Sequence, residues 1–188
     1  MDDGLVEMVV ESVRVHMLSS RHVVILKEAD SERERYLPIW IGPWEASAIA
    51  MKLQGLTPER PLTHDLFTMT LETLDARIER VIISDLADET FHARILLERD
   101  GQASEVDARP SDALALAVRA GARIFASEVV LEQASLGRNG GLGEDTEGSE
   151  GSTLEATGER LVDPRLDVFR DFINSLDADA EGGEGRSS

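Results

Sequence analysis

The chain has 188 residues, with 37 acidic groups against 19 Lys and Arg and a formal net charge of −18. That length fits one domain with some extra chain. An evenly spread charge of that sign repels polyanions, which disfavours a DNA-binding module of the basic kind. The absence of Cys excludes a disulfide framework, a thiolate zinc site and a Cys nucleophile, while 41% hydrophobic residues suffice for a core.

The start, Met1-Asp2-Asp3-Gly4, lacks a cationic segment leading into an apolar one, so no secretory signal is expected. The longest apolar run, Ala113 to Val118, is too short to span a bilayer. A soluble, cytoplasmic protein with no membrane association is predicted. The basic residues are 17 Arg and only 2 Lys, a bias that matches GC-rich bacterial coding.

Val6 to Leu18 reads as a first strand, with Val13, Val15 and Met17 alternating. His22 to Lys27 is a second strand and Arg35 to Ile41 a third, whose Pro38 implies an edge or a bulge. Ala46, Ile49, Ala50 and Leu53 recur at helical spacing and predict a helix over Trp44 to Leu53. Thr63 is placed to cap another helix, running to about Leu74. Strands follow at Ile78 to Ser84, Thr90 to Arg99 and Ala103 to Ala108, the last two joined by an Asp100-Gly101 turn. Ser111 is read as the cap of a helix from Asp112 to Ala120 that Gly121 closes, and Ile124 to Leu131 as a last strand-like run.

Strand-strand-strand-helix thus occurs twice, and residues around Pro43 to Lys52 match those around Pro110 to Arg119 at an offset of 67. The prediction is an α+β domain, a mixed sheet with helices packed on it, built from a duplicated βββα unit. In each half an acid opens the helix, Glu45 or Asp112, and a base follows seven residues later, Lys52 or Arg119. Two turns hold these charges about 10 Å apart, so the spacing reads as macrodipole complementarity rather than ion pairing.

Composition shifts near Gln133, beyond which lie ten of the 15 glycines. The arrangement expected is a folded domain over 1–133, a flexible Gly/acidic linker over 134–160, a short amphipathic helix within 161–178 and a disordered tail over 179–188. Asp163-Pro164 starts that helix, and Leu166, Phe169, Phe172, Ile173 and Leu176 give it an apolar face. The face either docks on its own domain or recruits a protein partner. The charge divides too: residues 1–133 carry 14 basic and 24 acidic groups, and the remainder 5 and 13.

Three clusters stand out chemically. Arg60 to Asp65 (RPLTHD) sets an imidazole beside a carboxylate, able to ligate a metal or form a general base, or simply to start a helix. Asp107 to Asp112 (DARPSD) sets two carboxylates around an Arg at a strand-to-helix junction, where the bland reading is an Arg neutralising Asp107 and a Ser cap. Trp40 to Glu45 (WIGPWE) carries two indoles that either stack on a base or pack structurally. Jointly, acids with one His suit a hard-metal site for phosphodiester cleavage. His16, His22 and His92 lie in or beside strands without ligand spacing.

The blocks LPIWIGPWEASAIA (Leu37 to Ala50), RPLTHDL (Arg60 to Leu66) and VDARPSDALALAVR (Val106 to Arg119) resemble, in order, those of the bifunctional nuclease domain family of bacteria and plants. The resemblance spans roughly Val6 to Leu131 and implies cleavage of DNA and RNA. It marks Glu45, His64, Asp65, Asp107 and Asp112 as candidate catalytic residues and Arg60 and Arg109 as phosphate ligands. Asp65, Asp107 and Asp112 become candidate ligands of Mg²⁺ or Mn²⁺. The acidic field implies that nucleic acid binds weakly and in a salt-sensitive way. The alternative is a non-catalytic regulatory or assembly domain. Trp40, Trp44 and the edge-like third strand predict a homo-oligomer.

Overall fold

The structure, a computed structural model, describes residues 4–16, 21–29 and 35–137. Of the linker expected over 134–160, residues 134–137 fall inside them, in a helix end and a short strand; the rest of the linker, the tail helix and the terminus lie outside. The described elements are β1 (Leu5–His16), β2 (Arg21–Glu28), β3 (Arg35–Ile41), α1 (Pro43–Leu53), α2 (Thr63–Thr73), β4 (Arg77–Ala87), β5 (Thr90–Arg99), β6 (Gln102–Ala108), α3 (Pro110–Ala120), β7 (Arg123–Ser127), α4 (Glu128–Ala134) and β8 (Leu136–Gly137). The strands form one mixed sheet in the order β6-β5-β4-β7-β1-β2-β3-β8, so the class is α+β. Among the described residues no helix is long and apolar enough to cross a membrane.

Local chemistry explains the pattern. Val23 to Leu26 are buried in succession, the signature of a strand covered on both faces, and β2 lies inside the sheet between β1 and β3. Residues 102–107 of β6 are all exposed, as expected of the edge strand opposite β5. Only the two-residue β8 lies beyond β3, so Pro38 sits near an edge, as its missing amide requires. Gly101 turns the β5–β6 hairpin at φ 76°, and Gly121 ends α3 in the left-handed conformation at φ 65°.

β1–β2–β3 and β4–β5–β6 are two antiparallel meanders, each followed in the chain by a helix. Five-residue β7 joins them. It runs antiparallel to β1 (Leu5↔Ser127 to Met8↔Ile124) and parallel to β4 (Arg80↔Arg123 to Ile83↔Ala126). Ile124 and Ala126 point into the core with Met8, Val81 and Ile83. Ile124→Ala should therefore lower stability by about 3 kcal/mol, read as a reduced urea midpoint at unchanged m-value.

α3 is the central helix. It packs against α1, α2 and strands β4, β5 and β7, and its Ala and Leu residues from Ala113 to Ala117 are all buried. Alanine permits that close approach from several sides at once.

Three expectations are corrected. The run from Ile124 to Leu131 is not one strand: Ser127 stops β7 and caps α4 by accepting from the Val130 amide at 3.3 Å. Ser111 does not cap α3, which begins at Pro110 with Arg109 as its extended N-cap. Proline supplies the helical φ of a first position and forces extension on the residue before it. Thr63 likewise lies inside α2, whose N-cap is Leu62.

Candidate functional site

The N-termini of α1, α2 and α3 carry four candidates, Glu45, His64, Asp65 and Asp112, and the packing of α1 and α2 on α3 brings Glu45, His64 and Asp112 together. Pro43 and Pro110 fix the starts of α1 and α3, so Glu45 and Asp112 fall in equivalent first turns. Arg109, one residue before α3, spans them. Its guanidinium bonds Glu45 Oε1 at 2.8 Å and Asp112 Oδ2 and Oδ1 at 2.8 and 3.2 Å. The Glu45 carboxylate folds back over Gly42, where a Cβ would collide with its other oxygen.

His64 enters from α2. Its Nε2 lies 3.1 Å from Asp112 Oδ1. An ionised carboxylate only accepts, so Nε2 carries the proton and neutral His64 keeps Nδ1 as its basic atom. Burial alone would raise the Asp112 pKa, but hydrogen bonds from Arg109 and His64, with the Arg109 charge, outweigh it and hold the carboxyl below its ordinary value. The imidazole is 15% exposed, whereas the Arg109 side chain is 67% exposed and accessible to a ligand.

Asp65 takes another role. One oxygen accepts from the Leu62 amide at 2.9 Å, capping the start of α2, and the other receives Arg119 Nε at 2.6 Å. The Arg119 side chain is only 5% exposed and also donates to the carbonyls of Ala115 in α3 and Ala48 in α1, at 2.9 and 3.2 Å. The macrodipole reading of Arg119 is thus corrected: this side chain ties three helices together. That tie supplements a thin attachment, since no residue of α2 is fully buried and Leu71 packs only half-buried against the core.

The remaining candidates lie elsewhere. Asp107 is exposed on β6, opposite Arg94 of β5, and Arg109 turns to Glu45 and Asp112 instead. Arg60 is exposed in the loop between α1 and α2. Among the described residues no three His, Asp or Glu side chains are grouped to hold a metal ion. Arranged as they are, Glu45 and Asp112 do not fit a resident Mg²⁺ or Mn²⁺, since their oxygens already hold the Arg109 guanidinium between them.

Arg109 also lines a cleft of about 530 Å³. Its walls are the ends of β2 and β3, the starts of α1 and α3, and the β4–β5 turn. Arg21, His22 and Trp40 face it, none of which the spacing of the sequence singled out as a group. The usable signal was the strand pairing that sets His22 opposite Ile41 and Val23 opposite Trp40.

Comparison with known proteins bears on this arrangement. The model of the bifunctional nuclease domain matches residues 24–139, which include most of β2, all of β3, the four described helices and Glu45, His64, Arg109 and Asp112, while Arg21 and His22 precede the match. The chain belongs to the bifunctional nuclease domain family. Uncharacterized proteins from two strains of Mycobacterium tuberculosis are each 38% identical to it over 173 residues, covering 92% of this chain and 96% of the relative. Membership in this family gives the Glu45–Arg109–Asp112–His64 chain a functional context, and it leaves the roles of individual residues to geometry.

The lowered carboxyls carry a pH signature. Asp65 is depressed as Asp112 is: burial opposes, while the Leu62 amide and the Arg119 charge prevail. A depressed folded pKa gives stability that is present above the ordinary value of 3.8 and lost as pH falls through the folded value. Acid unfolding of Asp65→Asn should therefore respond less steeply to pH below 3.8 than the parent chain. An identical acid limb would remove Asp65 from the balance.

Proposed function

We propose that the chain is a nuclease that hydrolyses phosphodiester bonds of DNA and RNA with His64 as general base. The observation that carries this reading is the linked set Glu45–Arg109–Asp112–His64, in which an exposed cation adjoins an imidazole oriented by a carboxylate. Arg109 binds the scissile phosphate and stabilises the charge that grows on its oxygens. His64 Nδ1 takes a proton from the attacking water, and Asp112 stabilises the imidazolium formed. The phosphorus–oxygen bond to the leaving group then breaks, and the departing oxygen recovers a proton. Glu45 positions Arg109. Asp65 holds α2, and Arg60 and Asp107, which lie away from this set, take no part in the step. No step of this reading runs through Mg²⁺ or Mn²⁺.

The test is cleavage of DNA and RNA by the full chain with Mg²⁺, with Mn²⁺ and with chelator. His64→Ala and Asp112→Asn should each lower the rate by about 10²- to 10⁴-fold while leaving the circular dichroism spectrum intact. Cleavage absent at a contamination-controlled limit, or undiminished in both variants, would overturn the reading.

One observation favours an added role in assembly. α2 exposes Leu66, Phe67 and Met69, and Trp44 of α1 is 84% exposed. We propose that the exposed apolar side chains of α2 are covered by a second copy of the chain in the cytoplasm. Light scattering on Phe67→Ser should then show a smaller particle than the parent.

A further inference from the structure

We propose that the cleft beside Arg109 is a subsite for one unpaired base of a single-stranded nucleic acid, stacked on the Arg21–Trp40 platform with its phosphate at Arg109. This rests on the nuclease reading and adds a substrate class to it.

Charge is the first argument. Acids outnumber Lys and Arg almost two to one in the chain, yet the charged and imidazole side chains of the cleft are Arg21, His22 and Arg109 against Glu89 alone. The composition of the wall inverts that of the protein. Shape and chemistry are the second. The Arg21 guanidinium lies over the Trp40 ring, 5.3 Å from its centroid. A guanidinium stacked on an indole offers the flat, cationic surface on which unpaired bases stack. Phe91 and Pro110 add apolar walls, and the volume of about 530 Å³ suits a ligand of nucleotide size. The third argument is access. A base inside a duplex is stacked and paired, and reaching this platform would require its extrusion. Single strands present such bases without that step.

Trp40 reports on its own occupancy. The chain has two Trp, and Trp44 lies outside the cleft wall, so Trp44→Phe leaves Trp40 as the sole indole. In that background an oligothymidylate of eight residues should change Trp40 fluorescence saturably at low salt. The response should weaken as salt rises, and a blunt duplex of equal length should bind at least about tenfold more weakly, one stacked base being worth that much. Arg21→Ala and, separately, Trp40→Leu should each weaken a labelled oligothymidylate by about tenfold in anisotropy, with unchanged circular dichroism. Two variants keep the test meaningful if one fails to fold.

Thymidine monophosphate should act more weakly than the strand, and inorganic phosphate should leave Trp40 unchanged. The proposal is overturned if bound oligonucleotide leaves Trp40 fluorescence constant, if duplex binds as well as single strand, if phosphate alone reproduces the response, if the mononucleotide binds as tightly as the strand, or if nothing binds. Saturable binding without cleavage would uphold the subsite and sink the nuclease reading. Cleavage with an unresponsive Trp40 would do the reverse.

Discussion

Arg119→Met should destabilise the domain by about 3 kcal/mol, an effect as large as a core truncation, although Met fills much of the same volume. The guanidinium is nearly fully buried, and its removal strands the Asp65 carboxylate and the carbonyls of Ala48 and Ala115 at a junction of three helices. The penalty comes from those abandoned groups more than from the ion pair itself. Arg119→Lys should recover only part, because one ammonium cannot reach three acceptors in the planar arrangement of a guanidinium. The accompanying effect is local. With no buried residue of its own, α2 should exchange its amide hydrogens much faster in the variant, while β2 and β4 keep their protection relative to global stability. His64 rides on α2, so nuclease activity should fall further than the loss of folded protein explains. A urea midpoint matching the parent would refute this account of the helix junction.

Arg109→Ala should behave in the opposite way, with nuclease activity falling about 10²- to 10³-fold and stability changing by less than about 1 kcal/mol. Its side chain is exposed, so solvent screens its pairs with Glu45 and Asp112. In the proposed mechanism Nη1 meets the phosphate while Nε and Nη2 stay on the carboxylates, a division that a single lysine ammonium copies poorly. Arg109→Lys should therefore stay close to Arg109→Ala in turnover. Thermal unfolding beside a cleavage assay separates the two arginines: one governs the melt, the other the rate. Full activity in Arg109→Ala would move the phosphate contact to another residue.

Much of the fold was readable because its signals are local. Val23 to Leu26, the Asp100-Gly101 turn, Pro43 and Pro110 before their helices, and Gly121 after α3 each act within a few residues. The cap errors at Thr63 and Ser111 were also local, two preferences competing at neighbouring positions: a hydroxyl suited to a cap, and the next acid or proline better placed to set the start. The site was legible as a set of residue types and illegible as a set of pairs. Arg109 reaches Glu45 across 64 residues and His64 meets Asp112 across 48, and both contacts depend on how α1 and α2 lie against α3. Arg119 shows the limit most clearly. On a helix wheel it ends a stripe, and only the arrival of α2 turns it into a buried partner of Asp65. The two indoles divide in the same way, since pairing β3 with β2 puts Trp40 at the cleft while Trp44 faces solvent.

The position of β7 also has a consequence for how the chain is made. β1 leaves the ribosome early, yet one of its edges waits for partners near the end of the domain: Leu5 pairs with Ser127 and Met8 with Ile124. Closing a loop of this length is slow, and the β1–β2–β3 meander must persist meanwhile with a free edge bearing Val6 and Met8. A nascent chain halted at Ala122 should therefore be recovered in the insoluble fraction, whereas one extended past Leu136 should be recovered soluble. Folding of this sheet is completed from its middle, by a five-residue strand synthesised after all the longer ones.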